Sequence, residues 1–447
     1  MANIYVRSTD GNDTDNGSTW ALAKATLAGA ASIDLAGDTI YLSQSHAESV
    51  AAATGISING TLASPVRIVC GNDAAEPPTA VATTATVTRT GANSMAFTGH
   101  FHCYGVAFTV GDSTNAASIQ ISNGASNNQT FENCSLILGG NNSANRITIG
   151  GTSAAVGQAR FINTGVKFAN ASQAINLLSG DLVWEGGSLL SGGTSPTNLF
   201  AALNTRQANV RVTGVDFSNA DAGINFFTGT GGGFGVLRNC KLPASWSGSL
   251  ASGTLVAGGR WEMHNCDAGD TNYRILIADA LGTVTQDTGV YLDGGKYDGT
   301  TRLSYKHAST ASCNFLSGRF YGPELVVWNE TTGSSVTATV QIVHDGASAL
   351  TDGEVWLEVC YLGTSGYPLG TWASDAKADV LATASAQTTS SETWTGDTGT
   401  GPNGSTTWNQ LKLSVTFTPQ EKGPVIARVV MGVASKTVFV DPNVILS

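Results

Sequence analysis

The sequence predicts an all-β chain, a parallel β-helix followed by an antiparallel β-sandwich. Three observations lead there: a short phrase that recurs through the middle of the chain, a period-two alternation inside each copy, and a change of texture near residue 335. The phrase places an apolar residue two positions before a central Asn or Gly and another three positions after it. It reads Phe131-Glu-Asn133-Cys-Ser-Leu136, Phe161-Ile-Asn163-Thr-Gly-Val166, Trp184-Glu-Gly186-Gly-Ser-Leu189 and Val212-Thr-Gly214-Val-Asp-Phe217. It continues as Leu237-Arg-Asn239-Cys-Lys-Leu242, Met263-His-Asn265-Cys-Asp-Ala268, Leu292-Asp-Gly294-Gly-Lys-Tyr297 and Leu316-Ser-Gly318-Arg-Phe-Tyr321, with a looser first copy at Phe101-His-Cys103-Tyr-Gly-Val106. These are nine copies about 27 residues apart, the mark of a repeat architecture.

Alternation with period two is a strand signal, and no copy shows the i, i+3, i+4 spacing of a helix. Gly or Asn at the centre supplies the left-handed backbone of a tight bend. One strand–bend–strand unit per copy, without an intervening helix, predicts coils stacked about 4.8 Å apart. The residues two before each centre then form an inward column, from Phe101 to Leu316. Cys240 and Cys266 occupy one register on adjacent coils. Strand spacing admits a disulfide between them, but a stack of small buried thiols is the favoured reading. Asp216, Lys241, Asp267 and Lys296 share an outward column on four coils and read as a ladder of ion pairs.

Both ends of the repeat differ from it. Residues 1–45 read as strand, polar turn, short Ala-rich helix and strand, a cap for the open end of a β-helix over 46–330. After Thr331-Thr-Gly-Ser-Ser335 come longer alternating strands, Val336–His344, Glu354–Tyr361, Gln410–Phe417, Pro424–Met431 and Lys436–Val440. They predict a sandwich over 336–447. A polar stretch from about Thr383 to Thr407 interrupts them. Its Trp394, with Trp408, Trp372 and Tyr367, forms the candidate contact set for a partner or a sugar, against the simpler role of pinning the loop to its own sandwich.

Composition narrows the function. Only 12% of residues are charged, against about 25% in ordinary domains. The net charge of −11 repels phosphate backbones and acidic membrane surfaces, so neither nucleic acid nor membrane is an expected partner. The opening residues carry no signal-peptide pattern. Glycan hydrolysis needs two carboxylates about 5–10 Å apart, and the candidates are Asp216, Asp267, Asp270 and Asp293. Asp267, however, has Lys241 and Lys296 as column neighbours, which favours pairing over acid work. His264 and Asp293 share an outward column beside Arg238 without an accompanying nucleophile. His100 and His102 face one side of a strand without a third metal ligand. The Asp10–Asp15 stretch lacks the closing Glu of a calcium loop, and Gly231–Gly233 lack the Lys of a phosphate loop. No catalytic residue, metal site or cofactor is assigned.

The succession IYVRSTDGNDTDNG with Trp20, an Ala-rich stretch and AGDTIYL, over residues 4–42, resembles the opening of pectate-lyase-like right-handed β-helix proteins. That group includes secreted polysaccharide-active enzymes and bacteriophage virion proteins. The tail PVIARVVMGVASKTVFVDPNVILS resembles small β-sandwich modules of phage structural proteins. The resemblance implies a right-handed helix, a homotrimer and a place in a virion assembled in the host cytoplasm. A non-enzymatic capsid decoration (cement) protein is the first expectation, with the major capsid protein or other virion proteins as partners, since the chain begins at the cap. The alternative is a tailspike or tail-fibre protein that binds or depolymerises host surface polysaccharide. A glycan-binding adhesin resting on Trp394 and Trp408 is a third.

Overall fold

The computed structural model describes residues 2–447 apart from 52–54, 123–126, 152–156, 203–207, 230–232, 253–254, 256–258, 270, 288–295, 298–300, 303, 315–317, 345–349, 351–353, 363–378, 384–391 and 395–407. The chain is nearly all β; its described helices are a single 3-10 turn, Trp20–Leu22, and one short α-helix, Leu27–Ala31. It divides into two compact units, Met1–Arg274 and Ile275–Ser447.

The first unit is built from two large parallel arrays whose rungs follow the repeat. In the larger array Ile4 faces Ile40, Ile40 faces Ile68, and Ile68 faces Cys103. The column runs on through Phe131, Phe161, Trp184, Val212, Leu237 and Met263. Every member is buried. Because strand side chains alternate between faces, one apolar column per array is enough to set the register. The aromatic members Phe131, Phe161 and Trp184 meet edge to face at 5.9 and 6.0 Å, and Phe217 extends the series at 5.7 Å. Such pairs contribute roughly 0.5–1.5 kcal/mol each beyond their buried area.

The second array is an eight-stranded parallel sheet, from Ile56–Ser57 through Met95–Thr98, Ser118–Ile121, Arg146–Ile149, Ala174–Leu177, Asn198–Ala202 and Asn225–Gly229 to Ala251–Ser252. Its own buried column is Ile119, Ile147, Ile175, Phe200 and Phe227. Buried amides hold the bends between strands. Asn145 accepts from the Ala117 N–H at 2.8 Å, and Gln173 donates to the Gly140 carbonyl at 2.7 Å while accepting from the Ala169 N–H.

The repeat centres are left-handed, as the Asn and Gly there require. Asn133, Asn163, Gly186, Gly214, Asn239 and Asn265 have φ of 50, 46, 67, 66, 52 and 50°. The first copy is corrected. Its left-handed residue is Gly105, φ 76°, so Cys103 and not Phe101 stands in the column. Phe101 faces Gln129 and is also buried. A shift of two residues keeps both side chains inward, so alternation alone does not separate the two registers.

The N-terminal segment, expected as a cap, supplies strands of the larger array. Asn3–Val6 and Thr39–Ser43 are themselves rungs of the ladder, and the expected short helix lies between them. Thr26 caps that helix by accepting from the Gly29 N–H, and Glu48 accepts from the Leu27 N–H at 2.7 Å. Glu48 in turn holds Arg89, with both side chains almost fully buried.

Parallel pairing is described as far as Arg260–Asp267, earlier than the 330 boundary read from the repeat. Past it, Leu276 pairs antiparallel with Thr285, and the ninth copy's Gly318 closes a tight antiparallel bridge with Asn314. The ninth copy's Leu316 and Ser317 lie outside the described residues. The eighth copy's Leu292–Gly294 lie outside the described residues.

The second unit holds all five expected strands, as Val336–His344, Val355–Leu362, Trp408–Phe417, Gly423–Met431 and Thr437–Val440. Val336–His344 pairs antiparallel with Trp408–Phe417 and Thr437–Val440. Gly423–Met431 pairs antiparallel with Val355–Leu362 and Leu325–Asn329. Residues of both sheets, among them Val340, Ile342, Leu357, Val359 and Val429, share one apolar cluster.

Candidate functional site

The outward side chains of the two parallel arrays differ sharply. On the larger array several are charged and paired with one another. His102 bonds Glu132 at 2.8 Å, and Arg160 bonds Glu185 at 2.6 Å. Glu262 is gripped by Arg260 at 2.6 Å and by His264 at 2.8 Å. Burial pushes the Glu262 carboxyl up, but the His264 hydrogen bond and the Arg260 guanidinium outweigh it and hold it at about 2.

The ion-pair ladder forms in part. Asp216 lies opposite Lys241, and Lys241 opposite Asp267, with Lys241 Nζ 3.5 Å from Asp216. Partial burial works against the Asp216 charge. The Ser218 hydroxyl and N–H and the Lys241 ammonium prevail, and its acidity is stronger than usual, the wrong direction for a general acid. Asp267 accepts from the Gly269 N–H at 2.8 Å. Lys296 is no rung of this ladder: its strand pairs antiparallel, opposite Arg302.

Other candidates resolve locally. Asp10 is clamped by Arg7, and Asp13 accepts from the Ala25 and Thr26 N–H groups, so the acidic opening stretch is a braced turn. His100 accepts from the Asn128 N–H at 3.1 Å. His264 has Glu262 as its partner. All seven cysteines are free and buried. Cys103 and Cys134 lie 3.9 Å apart, and Cys266 is held well above the usual thiol range by its hydrogen bond with Cys240 and by burial. Trp394 lies directly opposite Trp408 on an antiparallel pair, Glu392–Trp394 with Trp408–Phe417. Asp270, Asp293, Tyr367, Trp372, Gly231 and Gly232 lie outside the described residues. Among the described residues no three His, Cys, Asp or Glu side chains come together as a metal site.

On the eight-stranded array the outward face is built from amides and hydroxyls. One outward row runs Thr148, Asn176, Ala201, Thr228 and Ser252. Ala201 is the short member, and it leaves a gap between Asn176 and Thr228. The result is a hollow of about 370 Å³ lined by Arg146, Asn176, Asn198, Ser172, Thr197 and Thr228 over a floor of alanines. The volume lies within the range of small-ligand sites.

Three features make this hollow the candidate site. Asn176 is only 6% exposed, yet its Oδ1 has no hydrogen-bond partner. A buried acceptor left without a donor costs roughly 1–3 kcal/mol. Asn198 accepts on Oδ1 from Asn225 and Ser252, leaving its amide N–H groups for a ligand. The lining carries no carboxylate. Nothing in the hollow can act as acid or base toward a glycosidic bond, but much in it can hold hydroxyl groups. A second hollow, of about 350 Å³, lies against Arg67, Val69, Val81, His102 and Tyr104 on the charged face. Its His102 is already engaged by Glu132.

The repeated phrase does not contain Arg146, Asn176 or Asn198, and they were not among the residues singled out from the sequence. The available signal was the polar residue alternating with Ile or Phe in RITI, AINL and NLFAA.

No family model and no curated protein matches the sequence. Among solved structures the chain is similar to the enzymatically active domain of tailspike protein 4 of bacteriophage CBA120, with 10% identity, 94% of this chain and 65% of that one covered, and a TM-score of 0.21. It is similar to the GH136 lacto-N-biosidase of Eubacterium ramulus, with 9% identity, 59% and 62% covered, and a TM-score of 0.31. It is also similar to the tailspike protein of Acinetobacter phage vB_ApiP_P1, with 13% identity, 90% and 78% covered, and a TM-score of 0.25. The chain thus spans under two thirds of the length of the first two.

Proposed function

We propose that this protein is a bacteriophage tail protein that holds host surface polysaccharide on its eight-stranded parallel face. In this reading the two parallel arrays close into one right-handed β-helix, and the second unit is a β-sandwich. The opening over residues 4–42, with its likeness to polysaccharide-active and virion β-helices, supports that frame. The observation that carries the function is the hollow beside Asn176: a preformed, hydroxyl-and-amide cavity with an unsatisfied buried acceptor. Capsid decoration, the first expectation from the sequence, has no described feature in its favour. The hollow favours binding over cleavage because its lining lacks carboxylates.

The test fills the hollow from its floor. Ala201→Leu adds a branched side chain between Asn176 and Thr228 without touching the buried core. Retention of the protein on a panel of immobilised capsular polysaccharides is expected to fall at least tenfold, with an unchanged melting temperature. Retention equal to that of the unaltered protein would overturn the assignment of this site.

A further inference from the structure

We propose that the hollow selects acidic sugars, with the Arg146 guanidinium receiving a ligand carboxylate while Asn176 and its hydroxyl neighbours hold the ring. The proposal rests on the polysaccharide reading above and names the class of polysaccharide.

Arg146 begins the strand Arg146–Ile149 and stands at the rim of the hollow. Its Nη1 donates to the carbonyls of Ser143 and Asn145, the latter at 2.7 Å, and this fixes the guanidinium plane. Nε and Nη2 have no acceptor among the described residues. Nor does any described carboxylate lie within ion-pairing distance of Arg146, in contrast to Arg160, Arg260 and Arg428, each of which holds a glutamate. Burial without a counter-charge lowers the proton affinity of Arg146 below the usual guanidinium range. An uncompensated, partly desolvated cation is costly to the free protein, and a ligand anion removes that cost. The net charge of −11 sharpens the point. The chain carries 33 acidic side chains, yet the only charged group lining the hollow is a cation.

The shape of the donor set selects the anion. A guanidinium offers two parallel N–H groups to a planar carboxylate, a fork that a lysine ammonium does not provide. Here one edge of the fork is spent on the bend at Ser143 and Asn145, and the other edge remains for the ligand. Next to it lie amide donors on Asn198 and the hydroxyls of Ser172, Thr197 and Thr228. A carboxylate and ring hydroxyls carried together, as in a uronate or related acidic sugar unit, suit this set.

The experiment uses the full chain and a panel of capsular polysaccharides, some neutral, some acidic through carboxylates and some through phosphate. Each carboxylate member is paired with its carboxyl-reduced form, and binding is measured by calorimetry. Affinity for a carboxylate member is expected to drop at least tenfold on carboxyl reduction. Arg146→Gln is expected to bind both forms alike, at the level of the reduced one. The comparison of the two sugar forms on unaltered protein needs no variant, so a folding defect in Arg146→Gln leaves it decisive. Equal affinity for the two forms, or binding confined to neutral or phosphate-bearing members, would overturn the acidic-sugar assignment while leaving the polysaccharide reading intact. Binding to no member would sink both.

Discussion

The two parallel faces of the first unit share a backbone plan and have opposite surface chemistry. On the larger array many charges have a partner within the protein: His102 with Glu132, Arg160 with Glu185, Lys241 with Asp216, and Arg260 and His264 with Glu262. On the eight-stranded array a buried amide oxygen is left unmet, and a guanidinium edge has no described acceptor beside a hollow. A face that satisfies itself contributes to the fold. One that leaves a buried acceptor unmet is held that way at a cost to stability, and such departures from local consistency are where function is expected.

Glu262 offers the largest break of this contrast. Its folded acidity, at about 2, lies below the ordinary 4.5. A lowered carboxylate value stabilises the fold above the unfolded value, and that stability is lost as pH falls through the folded one. The shift corresponds to about 3 kcal/mol. Glu262→Gln is therefore expected to lower the unfolding free energy by that order at neutral pH, measured in urea. The gap to the unaltered protein should close between pH 4.5 and pH 2. A gap that persists unchanged at pH 2 would show that the glutamate acts through packing and not through charge.

The opposite sign is expected on the other face. Asn176→Val removes an orphaned acceptor from a strand position that suits a β-branched residue, so the protein should become more stable by about 1 kcal/mol. Polysaccharide retention should be lost in the same variant. Gain of stability with loss of binding is the signature of a site kept at the expense of the fold. Loss of both would mean that Asn176 has a structural partner, and the contrast between the faces would fail.

Much of the ladder was legible because it is written in a repeated phrase. The Asn and Gly at the centres must be left-handed, the apolar residues flanking them must be inward, and Asp216 and Lys241 fall opposite each other as the spacing requires. The alternating runs from Val336 onward were equally plain. The hollow was not legible. Its residues lie on the eight-stranded array, and the offset from the repeat centre to that array changes from copy to copy, as between Asn133 to Ile147 and Asn163 to Ile175. Without a fixed offset, nothing in the sequence aligns Asn176 with Ala201 and Thr228, and an alanine gives no sign that it opens a cavity. At Gly318 the phrase recurs beside an antiparallel bridge to Asn314. The four aromatic contact candidates drew attention for their bulk. The structure sets Trp394 opposite Trp408, and the hollow proposed above is lined by smaller polar residues.

The most direct test of the central claim is to ask which face a bound polysaccharide protects. Amide hydrogen exchange of the full chain, with and without a binding capsular polysaccharide, reports this strand by strand. Protection is expected to rise across Arg146–Ile149, Ala174–Leu177 and Asn198–Ala202. Protection confined instead to Gln158–Lys167 and Asp181–Leu189, the strands that carry the Arg160–Glu185 pair, would contradict the account.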